Sequence, residues 1–173
     1  MSRSAEELVA DASAIVEERL GEHVWATGEV TWSEAIGERL AARGWRLAVV
    51  EIGTGGQMGT LLGDVEWLAF DESIATDSTA ALAHGDGGDA LLAYARRARE
   101  LGGAEVGLAL RTGVRGEDTT VSIAVVTPID EHRERRMVFL GGRNGRIRSA
   151  LAAASSLWSV LRREDGPAEG GGT

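Results

Sequence analysis

No cysteine occurs among the 173 residues, which excludes disulfides, thiolate metal sites and cysteine nucleophiles. Lysine is missing too: all 18 basic residues are arginine. Arginine keeps its charge at physiological pH and cannot act as a general base, so any mechanism requiring a neutral lysine is excluded. No apolar run approaches the roughly 18 residues of a membrane span, and no membrane association is expected. The opening Met1-Ser2-Arg3-Ser4-Ala5-Glu6-Glu7 is polar and acidic where a secretory signal is basic and then apolar; a cytoplasmic protein is expected. The three histidines, His23, His84 and His132, are scattered without ligand spacing to Asp or Glu, so neither a metal nor a cofactor is expected. A formal net charge of −9 disfavours nucleic acid, whose phosphates demand many cationic contacts. A local arginine patch can still take a small phosphate.

What is present reads as a globular chain, with 43% hydrophobic and 26% charged residues and length enough for one core. Ala5 to Leu20 has helical spacing in Leu8, Ala12, Ile15, Val16 and Leu20. A short strand candidate follows at His23 to Thr27. Thr31-Trp32-Ser33-Glu34 has the form of a capping box opening a helix through Ala35, Ile36 and Leu40, which Gly44 stops. Arg46 to Met58 is then an apolar strand running into a glycine turn and a short helix from Gly56 to Leu62. A loop and second strand occupy Val65 to Thr76, and Ala83 to Gly88 is a flexible connection. Asp89 is placed to cap a helix from Ala90 to Leu101 whose Leu91, Ala95 and Ala98 face inward while Arg96, Arg97 and Arg99 face solvent. Strands at Glu105 to Leu110 and Thr119 to Val126 are joined by a polar loop, Thr112 to Asp118. Pro128 to Glu134 turns the chain into an antiparallel strand, Arg136 to Leu140. The last helix, Asn144 to Arg163, carries a stripe of Ile147, Leu151, Ala154, Trp158 and Leu161, and Pro167 to Thr173 is a Gly-rich tail expected to be disordered.

Helices alternating with strands, then a closing hairpin, predict an α/β fold: a three-layer α/β/α sandwich around a mixed, mostly parallel sheet. The expected division is a helix-strand extension over 1–30, the α/β/α domain over 31–164 and the tail over 165–173. The glycine turn is the natural place for a site, because turn amides and a helix start face an anion above the strand's carboxyl end. Glu51 is a candidate acid or base there or, more ordinarily, a structural hydrogen-bond partner of the turn. Thr54 is a candidate nucleophile or, more ordinarily, a cap. The basic stretch of Arg133, Arg135, Arg136, Arg143, Arg146 and Arg148 reads mainly as solvated strand and helix faces, with Arg143 or Arg146 as candidate phosphate contacts, and Trp67 is weighed as a base-stacking platform against the more ordinary core or interface residue.

These residues together resemble the CinA C-terminal domain, the competence/damage-inducible protein family whose active members are nicotinamide mononucleotide deamidases. The helix Glu34 to Gly44, the strand Trp45 to Glu51 and Thr54-Gly55-Gly56 match that family's helix, strand and Glu-Ser-Cys-Thr-Gly-Gly motif. Trp67 stands where the family has an aromatic. Leu108 to Leu110 running into Thr112-Gly113-Val114, then Val121 to Ala124, resembles its second glycine loop and next strand. Phe139 to Asn144 and the arginine-bearing last helix resemble its end. The similarity covers about Trp32 to Arg163; Leu8 to Gly28 resembles the end of the small domain preceding it in full-length members, and no counterpart of their molybdopterin-binding-like domain is expected.

Departures bear on chemistry. Ile52 stands where the family carries its nucleophilic serine, and Gly53 replaces the adjacent cysteine. The family's Tyr-Ser-Asn segment and following lysine fall near Ala75, Thr76, Asp77 and Ala80, with tyrosine and lysine gone. Arg115 to Asp118 replaces a longer Gly-Pro-rich segment. The resemblance therefore implies a catalytically inactive relative, a binding, regulatory or interaction module that forms homo-oligomers. Its ligand would be pyridine-nucleotide-like, held by Ile52, Gly53, Thr54, Gly55, Gly56, Thr112, Gly113, Arg143 and Arg146. The alternative is a divergent amidase using Thr54, or Glu51 with an activated water.

Overall fold

The structure is a computed structural model and describes residues 4–20, 28–75 and 87–164. The strand expected at His23 to Thr27, most of the connection before Gly87 and the Gly-rich tail lie outside the described residues. The chain divides into two compact units, Met1–Thr31 and Trp32–Thr173. In the first, α1 (Ala5–Leu20) opens on a reciprocal capping box not singled out from the sequence: the Glu7 amide donates to Ser4 Oγ at 3.2 Å and the Ser4 amide to Glu7 Oε2 at 2.9 Å.

The second unit contains α2 (Trp32–Ala41), β1 (Leu47–Ile52), α3 (Gln57–Leu62), β2 (Leu68–Ile74), α4 (Gly87–Gly102), β3 (Val106–Arg115), β4 (Asp118–Val126), β5 (Glu131–Val138) and α5 (Gly142–Arg163). The strands form one sheet in the order β2-β1-β3-β4-β5. Pairings of β1 with β2 and β3 are parallel, and those of β3 with β4 and β4 with β5 antiparallel. The α/β expectation is met by a mixed sheet with helices on both sides.

Strand alternation decides which helix each residue meets. Ala48, Val50 and Ile52 of β1 pack with Leu91, Leu92, Ala95 and Ala98 of α4. On the other face, α5 packs on the sheet and α2 and α3 pack on α5. β1 is buried along its whole length, which explains why its residues are apolar on both faces except Glu51. After α2, Gly44 takes φ +64°, its amide bonds Ala41 O at 3.1 Å and the Trp45 amide bonds Leu40 O at 2.9 Å. This is a Schellman stop, requiring the left-handed conformation glycine adopts freely.

Several expected boundaries move. The polar loop over Thr112 to Asp118 is instead strand: β3 and β4 continue to the facing pair Arg115 and Asp118, joined by Gly116-Glu117 with Gly116 at φ +63°. A glycine at the first central position of a two-residue turn lets the hairpin close tightly. β5 starts at Glu131, inside the segment expected to be a turn, because its charged residues form an edge strand whose pairing to β4 needs no apolar outer face. Gly87, Gly88 and Asp89 lie within the first turn of α4 rather than before it; Asp89 pairs with Arg133 at 2.6 Å. Arg99 also departs from its expected solvent-facing position, as its Nη1 donates to Thr127 O at 3.2 Å.

Of the stripe expected on α5, Ala154, Trp158 and Leu161 are buried and Ile147 is partly so, while the N-terminal half of the helix turns smaller residues inward. Gly145, Ser149, Ala153 and Ser156 are buried, whereas Leu151 is 38% exposed. Small residues let the helix approach the sheet: a Cβ on Gly145 would overlap Thr119 and stand 2.5 Å from Leu140 O. Gly145→Ala is therefore expected to lower stability by about 1–3 kcal/mol through overpacking. Leu151→Ala, ranked higher by an apolar stripe, should cost less than about 1 kcal/mol; urea unfolding of the two variants checks the order.

Candidate functional site

The turn after β1 is built from glycine. Gly53, Gly55 and Gly56 have φ of +77°, +70° and +77°, a succession that side-chain-bearing residues adopt only under strain. It reverses the chain from β1 into α3, whose N-cap is Gly56 without a side-chain cap.

Glu51 performs that capping from the preceding strand. Its side chain is wholly buried on the α3 side of the sheet. Oε2 accepts from the Met58 amide at 2.8 Å and from Thr54 Oγ1 at 2.6 Å, and Oε1 accepts from the Gly59 amide at 2.9 Å. A carboxylate at a helix start gains from the free amides and from the helix dipole together. The anion over the start of α3 is thus the protein's own, and a phosphate there would compete with Glu51 for the Met58 and Gly59 amides. Thr54 is also fully buried. Its hydroxyl donates to Glu51 instead of accepting a helix amide, so the expected cap role passes to the carboxylate.

Asp71, within the stretch expected to hold a loop and second strand, lies on β2 and joins this group. Val49 is its register partner, which places it on the same face as Glu51 one step along. A Cβ on Gly59 would overlap Asp71 Oδ2 and stand 3.7 Å from Glu51 Oε1, so two carboxylates converge on one α-carbon. Partial burial, with the negative charge of Glu51 as the lesser cause, pushes the Asp71 carboxyl up to about 6. The sequence signal was available in principle: Gly59 in a short helix beside two acidic strand residues. It could not be used without the register that brings β2 against β1.

The other expected residues separate. Ile52, 1% exposed, points to the opposite face from Glu51 and packs in the cluster against α4. Thr112 donates from Oγ1 to Ile52 O at 3.4 Å, linking β3 to the start of the turn. Gly113 lies in the β3–β4 ladder opposite Thr120; Thr112 and Gly113 are strand residues here, because the hairpin register extends through them. Arg146 reaches the turn, its Nε 4.0 Å from a Cβ built on Gly55. Arg143 is exposed in the first turn of α5. Trp67 packs against α2, with Nε1 2.5 Å from a Cβ built on Gly37, at the end of the sheet remote from the turn. This is the core packing that is the more ordinary reading of Trp67, and the stacking alternative falls away.

Beside this geometry stand the relatives. No family model matches the chain. A "CinA-like protein" of Syntrophobacter fumaroxidans is 33% identical over 168 residues, covering 83% of this chain. The chain is CinA-like in sequence and fold. It spans 39% of that relative's length. A competence-damaged protein (CinA) superfamily structure from Enterobacter cloacae superposes with a TM-score of 0.58 at 18% identity, covering 80% of this chain and 96% of the other. A second, from Escherichia coli, gives 0.58 at 19%, covering 84% and 98%. At such identities these structures establish a shared fold for the CinA-like domain. Among the described residues no helix is long and apolar enough to cross a membrane.

Two outcomes follow from the carboxylate pair. Glu51→Gln keeps one acceptor oxygen but turns an amide donor toward either the Gly59 amide or the Met58 amide and Thr54 hydroxyl, and should cost about 2–4 kcal/mol in guanidinium unfolding by leaving at least one buried helix amide without an acceptor. Asp71 titrates in the folded protein at about 6 against 3.8 for the free group. The folded state therefore binds this proton more tightly between those values, and stability falls as pH rises through them. The cost is absent below the lower value and complete above the higher. Asp71→Asn should flatten that slope and add roughly 1 kcal/mol at pH 7, a figure reduced for solvent screening of a partly exposed group; melting curves from pH 4 to 7 measure it.

Proposed function

We propose that this CinA-like domain has lost amide hydrolysis and serves as a binding or regulatory module, retaining at most a pocket for a pyridine-nucleotide-like small molecule beside the glycine turn. The observation carrying this reading is Ile52: at the position of the family's serine it presents a hydrocarbon side chain packed into the α4-side core. Without a nucleophile there, and without any lysine in the chain, the family's activated hydroxyl has no counterpart. Binding groups remain in Gly53, Thr54, Gly55 and Gly56, with Arg146 beside them supplying charge-assisted donors. Thr112 and Gly113 border the turn from β3, and Arg143 extends the basic surface of α5. A cytoplasmic homo-oligomer is the assembly proposed for it.

A second reading rests on the 2.6 Å hydrogen bond from Thr54 Oγ1 to Glu51 Oε2. A hydroxyl held on a carboxylate is a nucleophile–base pair, and a divergent amidase could use it or a water activated by the same group. Burial of both residues and the two helix amides already held by Glu51 favour the structural role.

The purified chain incubated with nicotinamide mononucleotide is expected to release no ammonia above a blank in a coupled assay. Turnover lost in Thr54→Val and kept in Thr54→Ser, with melting temperatures of both within a few degrees of the parent, would establish the amidase instead.

A further inference from the structure

A second site lies at the opposite end of the sheet from the glycine turn. A cleft of about 380 Å³ opens between Arg96, Arg99 and Glu100 of α4, Val126 and Thr127 at the end of β4, and Glu131 at the start of β5. Its volume lies within the range of small-ligand sites, and its lining is mainly polar and charged.

The two arginines differ in one respect. Arg96 presents its Nε and Nη2 edge to the Glu131 carboxylate, at 2.7 and 2.5 Å, the side-on pairing that a planar guanidinium and a carboxylate favour. Arg99 uses Nη1 on Thr127 O, while its Nε is buried with no hydrogen-bond partner. A guanidinium is donor-only, so an unfilled edge calls for an acceptor.

The fold holds Arg99 in that place. Its Cγ lies 2.7 Å from a Cβ built on Gly107, which would also overlap Ala95 O. The absence of a side chain at 107 lets α4 and the stem of Arg99 lie close on β3, directing the guanidinium to the sheet end and not outward. Arg99 is half-buried and lines the cleft, so a turn about its terminal bonds would bring the unfilled Nε edge to a ligand there.

We propose that this cleft binds a small organic acid through one carboxylate, held side-on by Arg99 as Glu131 is held by Arg96. The acceptor is a monoanion because Glu100 and Glu131 line the same space: a phosphate, carrying more negative charge, meets their repulsion. This site is separate from the glycine turn and does not depend on whether that turn binds or hydrolyses anything.

The test follows the arginine Nε–H resonances of the full chain by ¹H–¹⁵N NMR at pH 7 and constant ionic strength, titrating acetate, propionate or inorganic phosphate. One Nε–H signal, absent from the spectrum of Arg99→Met, should shift saturably with acetate and propionate, with dissociation constants on the order of millimolar. Phosphate should bind at least about tenfold more weakly. Read on the backbone amide signals of Val126, Thr127 and Glu131, which line the cleft in every variant, Arg99→Met, which keeps the packed stem, should abolish the saturable response, and Arg99→Lys, which keeps the charge without the Nε edge, should weaken it about fivefold or more. The proposal is overturned by no saturable shift, by phosphate binding as tightly as propionate, or by undiminished binding in Arg99→Lys. Should circular dichroism show Arg99→Met unfolded, Arg99→Lys decides alone.

Discussion

The buried carboxylate of Glu51 is the constraint around which the CinA-like domain is arranged at its glycine turn. A wholly buried acidic group is costly unless its oxygens are fully occupied. Here the occupants are two amides of α3 and the hydroxyl of Thr54. One residue thereby fixes the end of β1, the path of the turn and the start of a six-residue helix too short to hold itself together. The glycines are needed because the chain must double back within hydrogen-bonding reach of the strand it has just left.

The same arrangement limits the chemistry. Helix-start amides that could face a ligand's phosphate already face Glu51, and the adjacent residue, Ile52, is committed to the other face of the sheet. Asp71 shares the space between β2 and α3, and its carboxyl is raised first by burial and second by the negative charge of Glu51. What is left near the turn is the guanidinium of Arg146, an attractive group for an anion but one with no acid–base range at neutral pH.

The large elements could be read from the chain because their signals are local. The apolar run over Leu47 to Ile52, the glycines after it and the stop at Gly44 each impose a backbone state on a few neighbouring residues. The hairpin from β3 to β4 was less legible: Thr112, Gly113 and Asp118 have loop composition, and only register with the facing strand makes them ladder residues. The stripe on α5 held for Ala154, Trp158 and Leu161 but failed at Leu151, for a related reason. Hydrophobicity favours Leu151, but close approach to the sheet selects Gly145, Ser149 and Ala153 by size, and size matters only against a particular partner surface.

The sequence by itself determined the inventory and the local punctuation: no thiol, no lysine, a strand ending in glycines, and isoleucine where the resembling family has serine. Those follow from residue identity and short-range backbone preference. Only the tertiary structure decided that Glu51 is a cap, that Asp71 stands beside it, that Ile52 belongs to the core against α4, and that Arg99 turns to the far end of the sheet. Each depends on which strand lies next to which and on which face a residue falls, and those relations are fixed by non-local packing that no stretch of the chain contains alone.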